Sequence, residues 1–388
     1  MVTNLPAEAK AKFVKYMEAK TPEEKLRALQ EFLSSVPKHK GTENLLRWAR
    51  KRLAELREEV EERRRKRTGG GGVSFFVEKT GAAQIVMLGF TNVGKSALLR
   101  ALTGARAEVA DYPYTTRRPI PGALKFEDIE FQIVEAPAII PSGGGWNGRV
   151  IGLAKNADGL MLVIDASRDP IKQFEELHKF LKEHGIHIVK PRGYAVIEKG
   201  RGVQGIQIRL YGRLKCTVND VKRLLESYRI YNAVVKIYGE VDLDLIEEAI
   251  FETITYKPSI VIVNKIDLVG KEALAELRRA VPSSIPIIPA AAARGLVDKK
   301  LIGRTIFDTL ELIRVYTKPP LGKPSEKPLV LKRGSTILDV AKAVHSELYE
   351  RFAYARIWGP SAKYPGQRVG LDHVVEDGDI VEINTRKK

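Results

Sequence analysis

The feature that most constrains the fold is a glycine-rich turn between an apolar run and a helical pattern. Residues 89–96 follow the pattern G-x-x-x-x-G-K-[ST], after an apolar run at 84–88 and before a helical pattern at 97–102. A strand that leads through such a turn into a helix starts a βαβ unit. Further apolar runs at 131–134, 159–164 and 259–263 are typical of parallel strands buried on both faces. The sequence therefore predicts an α/β fold with a mostly parallel sheet.

The glycine-rich turn has the composition of a phosphate-binding loop. Glycines let successive backbone N–H groups surround phosphate oxygens, and the N-terminus of the next helix adds the positive end of its dipole. Lys95 is expected to pair with β- and γ-phosphates, and the Ser96 hydroxyl to bind Mg²⁺. A chance glycine turn is the alternative, which the flanking strand and helix disfavour. The residues expected to contact the nucleotide are Asn92, Val93, Gly94, Lys95, Ser96 and Ala97.

A second motif, N-K-x-D, spans residues 264–267 directly after an apolar run. Asp267 can accept hydrogen bonds from the N1–H and the exocyclic amine of guanine, a donor pair that adenine lacks. Asn264 and Lys265 are expected to brace the base and the phosphate loop. Two independent motifs in this order predict a site for GTP and GDP.

The loop after the first helix contains Y-P-Y-T-T at 112–116. A threonine in such a loop can bind Mg²⁺ and sense the γ-phosphate, so that the loop closes on GTP and opens on GDP. An ordinary turn of β-forming residues is the alternative.

The segment after the run at 131–134 departs from the D-x-x-G pattern that is usual for a second switch. Glu135 and Ala138 stand where aspartate and glycine are usual. Glu135 keeps a carboxylate that can reach Mg²⁺ directly or through water, whereas Ala138 lacks the conformational freedom of glycine. Ile139 stands where a glutamine would position a water, so slow intrinsic hydrolysis is expected. The run S-G-G-G at 142–145 predicts a mobile segment.

The remaining segments predict three further parts of the chain. Residues 1–72 are expected to form a helical hairpin, with a helix starting at Thr21 and Pro22 and a glycine linker at 69–72. Residues 185–257 are expected to form a small basic α+β unit, inserted into a nucleotide domain at 73–184 and 258–319. From 320 to 388 a mixed order of strands and one helix suggests a compact, ubiquitin-like β-roll.

The charge of the chain favours a polyanionic partner. Lys and Arg number 65 against 48 Asp and Glu, which gives a net charge of +17. RNA, DNA and anionic membranes are partners of this kind, and a basic surface that binds nothing is the alternative. The surplus is concentrated in the run at 63–67 and in 190–229. A solvated helix with i,i+4 ion pairs is the alternative for the first of these. The roll is nearly balanced in charge, so docking on a protein or on its own chain is its alternative role.

Several classes of protein are disfavoured by composition. The one cysteine, Cys216, cannot form an intramolecular disulfide, and the scatter of the six histidines argues against a histidine metal site. The N-terminus is too polar for a signal peptide, and no apolar run has the length of a membrane span. A cytoplasmic location is therefore expected. A monomer is expected as well, because nothing in the sequence demands a dimer. Binding to a membrane surface ranks low, because the helix at 43–67 has little aromatic surface beyond Trp48.

Together these features resemble a known family. The phosphate loop with Asn92, the Y-x-T-T segment, the motif at 264–267 and the basic insertion look like the Obg class of translation-factor-type P-loop GTPases. The helical N-terminus and the C-terminal roll match the DRG family within it, and the roll resembles a TGS domain. The resemblance covers almost the whole chain. It implies GTP hydrolysis and an RNA or ribosome partner.

The resemblance also assigns roles to single residues. It implies that Thr116 binds Mg²⁺ and that Asn92 coordinates K⁺, which acts as a fixed charge beside the β,γ-bridge. It places Ala291 and Ala292 where the family usually has Ser-Ala, with a backbone N–H that can reach guanine O6. The family has an apolar residue in place of the catalytic glutamine, and Ile139 is consistent with this pattern. Glu135 and Ala138 fall outside the family pattern.

These inferences predict a GTPase that hydrolyses GTP slowly and acts as a switch on the ribosome or other RNA. Lys95, Thr116 and Asn92 are the expected catalytic residues, with Mg²⁺ and K⁺ as cofactors. The alternative is a nucleotide-gated module that binds RNA or protein with negligible turnover, which Glu135 and Ala138 favour. A regulatory protein is an additional expected partner.

Overall fold

The computed structural model describes residues 5–39, 41–67, 75, 77–104, 118–140, 146–198, 205–251, 255–320, 322–345, 349 and 351–385. Three predicted features lie outside these ranges, namely the glycine linker at 69–72, the segment at 112–116 with Thr116, and the run at 142–145. The side chains of the basic run at 63–67 also lie outside the described part of the chain.

The helices are numbered in chain order. They are α1 (Ala7–Glu18), α2 (Pro22–Ser35), α3 (Glu43–Arg67), α4 (Lys95–Thr103), α5 (Asn147–Asn156), α6 (Pro170–Glu183), α7 (Val218–Ser227), α8 (Leu243–Phe251), α9 (Lys271–Ala280), α10 (Lys299–Thr309) and α11 (Ile337–Val344). Short 3₁₀ turns cover Ile266–Leu268 and Ala292–Arg294.

The strands are numbered in the same way. They are β1 (Ala83–Leu88), β2 (Ile120–Phe126), β3 (Ile129–Glu135), β4 (Gly159–Asp165), β5 (Ile186–His187), β6 (Gly193–Glu198), β7 (Ile206–Leu214), β8 (Ala233–Val241), β9 (Thr255–Tyr256), β10 (Ser259–Asn264), β11 (Ile287–Pro289), β12 (Leu312–Thr317), β13 (Leu329–Lys332), β14 (Phe352–Trp358), β15 (Gln367–Val369) and β16 (Asp379–Thr385).

The central sheet has the strand order β11-β10-β4-β1-β3-β2. β1 pairs in parallel with β3 and β4, and β10 pairs in parallel with β4 and β11. β2 runs antiparallel to β3 at one edge. The residues of β1, β4 and β10 are buried throughout, as strands covered on both faces must be. The predicted α/β fold with a mostly parallel sheet is confirmed.

The C-terminal sheet has the order β13-β12-β16-β14-β15, and α11 packs against it through Ile337 and Val340. Its strand β12 begins at Leu312, upstream of the boundary that the sequence predicted at 320. The reason is that the alternating side chains of β12 place Ile313 and Val315 in the core of this sheet. Pro319 and Pro320 therefore follow the first strand instead of preceding it.

Arg314, on β12, links the C-terminal sheet to the central sheet. Its Nη2 donates to Asp377 at 2.9 Å, and its Nη1 donates to Asp128 at 3.1 Å and also to Glu127. Glu127 and Asp128 form the turn between β2 and β3. These charged hydrogen bonds tie the β2–β3 turn to the first strand of the C-terminal sheet.

The chain divides into two compact units, of which the second comprises Phe75–Phe180 and Lys257–Lys388 and contains the central and C-terminal sheets. The first comprises Met1–Ser74 and Leu181–Tyr256. In that unit α1–α3 and the sheet β6-β8-β7 share one apolar core, in which the rings of Phe13 and Phe251 lie 4.6 Å apart. The sequence predicted the N-terminal helices and the insertion as separate parts. They are joined because each has one apolar face that needs a partner.

Within the described ranges, none of the helices combines the length and the apolar character that crossing a bilayer requires.

Candidate nucleotide-binding site

The phosphate loop joins the end of β1 to the start of α4. Asn92 and Gly94 have φ angles of 62° and 89°, which turn the backbone through the left-handed region. Asn is among the few non-glycine residues that adopt this conformation readily. Gly94 has a second constraint, because a Cβ atom there would lie 2.2 Å from the side-chain nitrogen of Asn264. The loop therefore requires glycine at this position.

Lys95 is the first residue of α4, and its side chain reaches back into the phosphate loop. Its side chain is buried, and its Nζ donates to the carbonyl oxygens of Gly89 at 3.1 Å and Phe90 at 2.9 Å. Burial lowers the pKa of Lys95 to about 8, and the Glu135 carboxylate offsets this shift only in part. A buried ammonium that donates to carbonyl oxygens can exchange these acceptors for phosphate oxygens, which carry more negative charge and therefore form stronger hydrogen bonds with it.

Ser96 and Glu135 lie side by side at the ends of neighbouring elements. The Ser96 hydroxyl donates to Glu135 Oε1 at 2.6 Å, and the Glu135 side chain is buried. Strands β1 and β3 are parallel, with Met87 opposite Glu135, so both groups lie at the same edge of the sheet. A hydroxyl and a carboxylate are hard oxygen donors, which fit Mg²⁺.

The described residues contain no group of three or more His, Cys, Asp and Glu side chains arranged for a metal ion.

Asn264 and Lys265 connect three loops at this edge. The Asn264 amide donates to the Val93 carbonyl at 2.9 Å, and its oxygen accepts from the Ala292 N–H at 2.9 Å. Lys265 Nζ donates to the Asn92 carbonyl at 2.7 Å. The motif at 264–267 therefore braces the phosphate loop and the loop that begins at Ala291.

Asp165 belongs to the same network and was not predicted from sequence. It accepts from Lys265 Nζ at 2.6 Å and from the Ser167 hydroxyl at 2.6 Å. Burial alone would raise the pKa of Asp165, but these hydrogen bonds outweigh it and hold the pKa below its usual value. Its position at the carboxyl end of β4, opposite Asn264 in the neighbouring strand, is the signal that could have identified it.

Asp267 forms an ion pair with a residue that the sequence reasoning missed. Arg294 Nε lies 2.8 Å from Asp267 Oδ2, and the two side chains are 63% and 17% exposed. Arg294 ends the 3₁₀ turn that follows Ala291, so it comes from the loop expected to face the base. The carboxylate that would select guanine is therefore already oriented by a cation.

Ala291 and Ala292 lie in this loop, but both of their N–H groups donate within the protein. The Ala291 N–H donates to the Leu296 carbonyl at 2.9 Å, and the Ala292 N–H donates to Asn264 Oδ1 at 2.9 Å. A contact from either N–H to guanine O6 would require sharing the hydrogen atom with these acceptors.

The segment that the sequence predicted to act as a second switch is held against the phosphate loop. The Ile139 N–H donates to the Gly89 carbonyl at 3.2 Å, and the Ile139 side chain is buried. The Ala138 carbonyl accepts from Trp146 Nε1 at 3.0 Å. Asn147 donates to the Ile140 carbonyl at 2.8 Å and accepts from its N–H at 3.1 Å. Sequence reasoning missed Trp146 and Asn147, because a tertiary contact and not a motif gives them this role.

The cation-binding roles of two site residues, Thr116 and Asn92, stay predictions. Thr116 lies outside the described residues. Asn92 is in the phosphate loop, and its backbone carbonyl accepts from Lys265, while its assignment to K⁺ stays a prediction.

Comparison with known proteins covers most of the chain. A family model described as a 50S ribosome-binding GTPase matches residues 84–193, and a model for the C-terminal region of that domain matches residues 203–312. A TGS domain model matches residues 313–385.

Full-length relatives are similar over nearly their whole length. A GTP-binding protein of Methanocaldococcus jannaschii is 35% identical over 367 residues, which cover 93% of this chain and 92% of the relative. Developmentally-regulated GTP-binding protein 1 of Xenopus laevis is 33% identical, with 90% and 95% covered. Ribosome-interacting GTPase 1 of Saccharomyces cerevisiae is 32% identical, with 94% and 99% covered.

Proposed function

Because the chain belongs to the developmentally-regulated GTP-binding protein (DRG) family of GTPases, we propose that it hydrolyses GTP slowly as a nucleotide-dependent switch. Its cofactors in this proposal are Mg²⁺ and K⁺, and its partner is the ribosome or other RNA in the cytoplasm. The observation that carries the proposal is the phosphate loop whose carbonyl groups hold the buried Lys95 ammonium.

In the proposed mechanism, Lys95 transfers its hydrogen bonds from the Gly89 and Phe90 carbonyls to phosphate oxygens. It then stabilises the charge that develops on them during transfer. Asp267 accepts from guanine while Arg294 holds its carboxylate. Ser96 and Glu135 are the residues that would hold Mg²⁺, together with Thr116, and Asn92 would hold K⁺. When bound, these cations neutralise phosphate charge.

Slow turnover is supported by the second switch segment. Ile139 is buried and has no polar atom on its side chain, so it cannot orient a water. A backbone group or a partner must do so instead, and removal of a water-positioning residue is a large loss in this class of enzyme.

The ribosome or RNA partner is supported by charge and by a relative. The net charge of +17 favours polyanions, and a relative from yeast is named Ribosome-interacting GTPase 1. A monomer is proposed as the working form, and a regulatory protein is a further proposed partner.

The test is multiple-turnover GTP hydrolysis by the purified protein in KCl and in NaCl at equal ionic strength. We expect the natural chain to hydrolyse GTP faster in KCl than in NaCl, and we expect the Asn92→Ala variant to lose this difference. Equal turnover in the two salts would contradict the K⁺ assignment. Fast turnover in both, at the rate of an activated GTPase, would contradict slow intrinsic hydrolysis.

A second candidate function is a nucleotide-gated binding module with negligible turnover. The observation that favours it is the fixed second switch, in which Ala138 is buried and its carbonyl accepts from Trp146. The double variant Glu135→Asp, Ala138→Gly restores the usual pattern. If the altered residues suppress turnover, this variant should hydrolyse GTP faster than the natural chain, and no gain would count against this candidate.

A further inference from the structure

Three tyrosines stand in one row across the sheet β6-β8-β7. Tyr194 pairs with Tyr238 between β6 and β8, and Tyr211 pairs with Tyr238 between β7 and β8. The ring centroids of Tyr194 and Tyr238 lie 4.7 Å apart with planes 13° from parallel, and those of Tyr211 and Tyr238 lie 5.0 Å apart at 10°. These distances match the spacing of strands, so the rings form a stack that crosses the sheet.

The row lies on the face of the sheet that does not contribute to the apolar core. Residues that alternate with the tyrosines, such as Ala195, Ile208 and Ile237, pack against the helices of the unit. Successive side chains in a strand point to opposite faces, so the tyrosines occupy the other face. All three tyrosines are partly exposed there.

The two ends of the stack differ. Beyond Tyr194, the ring of Tyr256 lies 5.5 Å away at an angle of 54°. Tyr211 is on the edge strand β7, and among the described residues its ring contacts no aromatic ring or cation besides Tyr238. One more flat ring can therefore continue the stack at Tyr211, where it would bury an aromatic face.

Basic side chains flank this end of the stack. Arg209 and Arg213 lie two residues on either side of Tyr211, so all three occupy the same face of β7. Lys236 is opposite Arg209, where it pairs with Glu198 at 2.7 Å. At the other side, Lys215 pairs with Glu240 at 2.7 Å.

Besides Lys215, two further cations act on the Glu240 carboxylate. The Lys215 hydrogen bond and charge lower its pKa, and the charges of Arg213 and Arg192 lower it further. The face therefore has more positive than negative charge where the tyrosine stack ends.

We propose that this face binds single-stranded RNA, with one base stacked on Tyr211 and with Arg209 and Arg213 contacting the adjacent phosphates. Aromatic rings that stack on bases beside cations that follow the backbone are how single strands are bound without sequence preference. A duplex buries its bases in its own stack and cannot offer one to Tyr211. This inference deepens the proposed function and rests on its assumption that the partner contains RNA.

The test is fluorescence anisotropy of a short labelled RNA with the full-length protein. Single-stranded RNA of mixed sequence is compared with a duplex of equal length. Tyr211→Ala should weaken binding of the single strand about fivefold or more, whereas Tyr211→Phe, which keeps the ring, should bind within about twofold of the natural chain. Arg213→Gln should reduce the slope of log affinity against log salt by about 0.7.

Tyr231→Ala is the matched control, because Tyr231 is 58% exposed in the same unit but lies outside the sheet. It should bind RNA like the natural chain. Circular dichroism and GTP turnover of each variant check the fold, and both should stay unchanged because Tyr211 is not part of the nucleotide site.

Three outcomes would overturn the proposal. Full affinity for the single strand in Tyr211→Ala would refute the stacking site while leaving RNA as the partner. Tighter binding of the duplex would refute a single-strand face. If the natural chain hydrolyses GTP but binds neither RNA, and binds a polyglutamate peptide through Arg213 instead, then the partner of this face is an acidic protein.

Discussion

The nucleotide site and the tyrosine row of Tyr194, Tyr238 and Tyr211 are both built on sheets, but they are encoded differently. In the nucleotide site, the side chains follow the ends of parallel strands, and Lys95 and Asn264 belong to short motifs. The tyrosine row has no motif at all. Its members belong to three strands and are aligned only by strand pairing.

This contrast shows which kinds of site a single sequence can reveal. A phosphate loop needs successive residues with particular backbone conformations, such as Asn92 and Gly94, so its residues must be consecutive. A stack across a sheet needs only one aromatic side chain per strand in the correct register. A slip of one residue would place each of these rings on the opposite face.

The largest expected effect separates the two sites completely. Lys95→Ala removes the cation that stabilises the transferred phosphate, so kcat/KM for GTP should fall about 100-fold or more. Measured without nucleotide, the RNA affinity of this variant should equal that of the natural chain, and GTP turnover should stay unchanged in Tyr211→Ala. Turnover assays and RNA anisotropy on both variants measure this. Full GTP affinity and turnover in Lys95→Ala would refute the assigned site.

The sequence predicted the α/β fold because strands of a parallel sheet buried on both faces are short, near-continuous apolar runs, which can be recognised without tertiary information. The structure also brings the predicted Asn264 and Lys265 to the phosphate loop. The roles of Arg294 and Asn147 could not be predicted, since each depends on which loop lies beside it. The common core of α1–α3 with β6, β7 and β8 is a similar case, because its two chain segments are far apart in sequence.

Asp267→Asn should produce the second largest effect. One or two charged hydrogen bonds to guanine are lost or replaced by weaker neutral ones, so GDP affinity should fall about 10- to 100-fold. Weak binding of ATP should not change, because adenine lacks the pair of donors that this carboxylate accepts from. Displacement of a fluorescent GDP analogue measures both affinities.

Asp308→Asn is the control for this substitution, since Asp308 is an exposed aspartate that pairs with Arg304 on α10. It should bind GDP like the natural chain. Equal losses in the two variants would show that the effect is not specific to the base.

The buried lysine predicts a dependence on pH that a surface site would not have. Burial lowers the pKa of Lys95 from 10.5 to about 8, so at pH 9 most of the empty sites contain a neutral amine. Bound phosphate restores the charge, so GDP binding should take up a proton, and affinity should fall by up to about tenfold per pH unit above 8. Calorimetry in buffers of different ionisation enthalpy measures the proton uptake.

Stability should change in the opposite direction in the nucleotide-free protein. Between pH 8 and 10.5 the unfolded chain binds the Lys95 proton and the folded chain does not, so this lysine makes folding more favourable as the pH rises. Lys257 is the control, because burial also lowers its pKa to about 8, away from the phosphate loop. Lys257→Met should weaken the pH dependence of stability and leave proton uptake on GDP binding unchanged. Loss of that uptake would contradict the assignment to Lys95.

The smallest effect concerns Arg294, which the motifs do not include. Its ion pair with Asp267 is partly exposed, so the pair stabilises the nucleotide-bound protein by at most about 1 kcal/mol. Arg294→Ala should therefore weaken GDP binding by up to about fivefold. Arg304→Ala, which removes an exposed arginine from a comparable pair with Asp308, should have no effect. Tighter binding in Arg294→Ala would mean that the arginine competes with guanine for the carboxylate. In that case, a residue brought in by tertiary contact would oppose the motif instead of completing it.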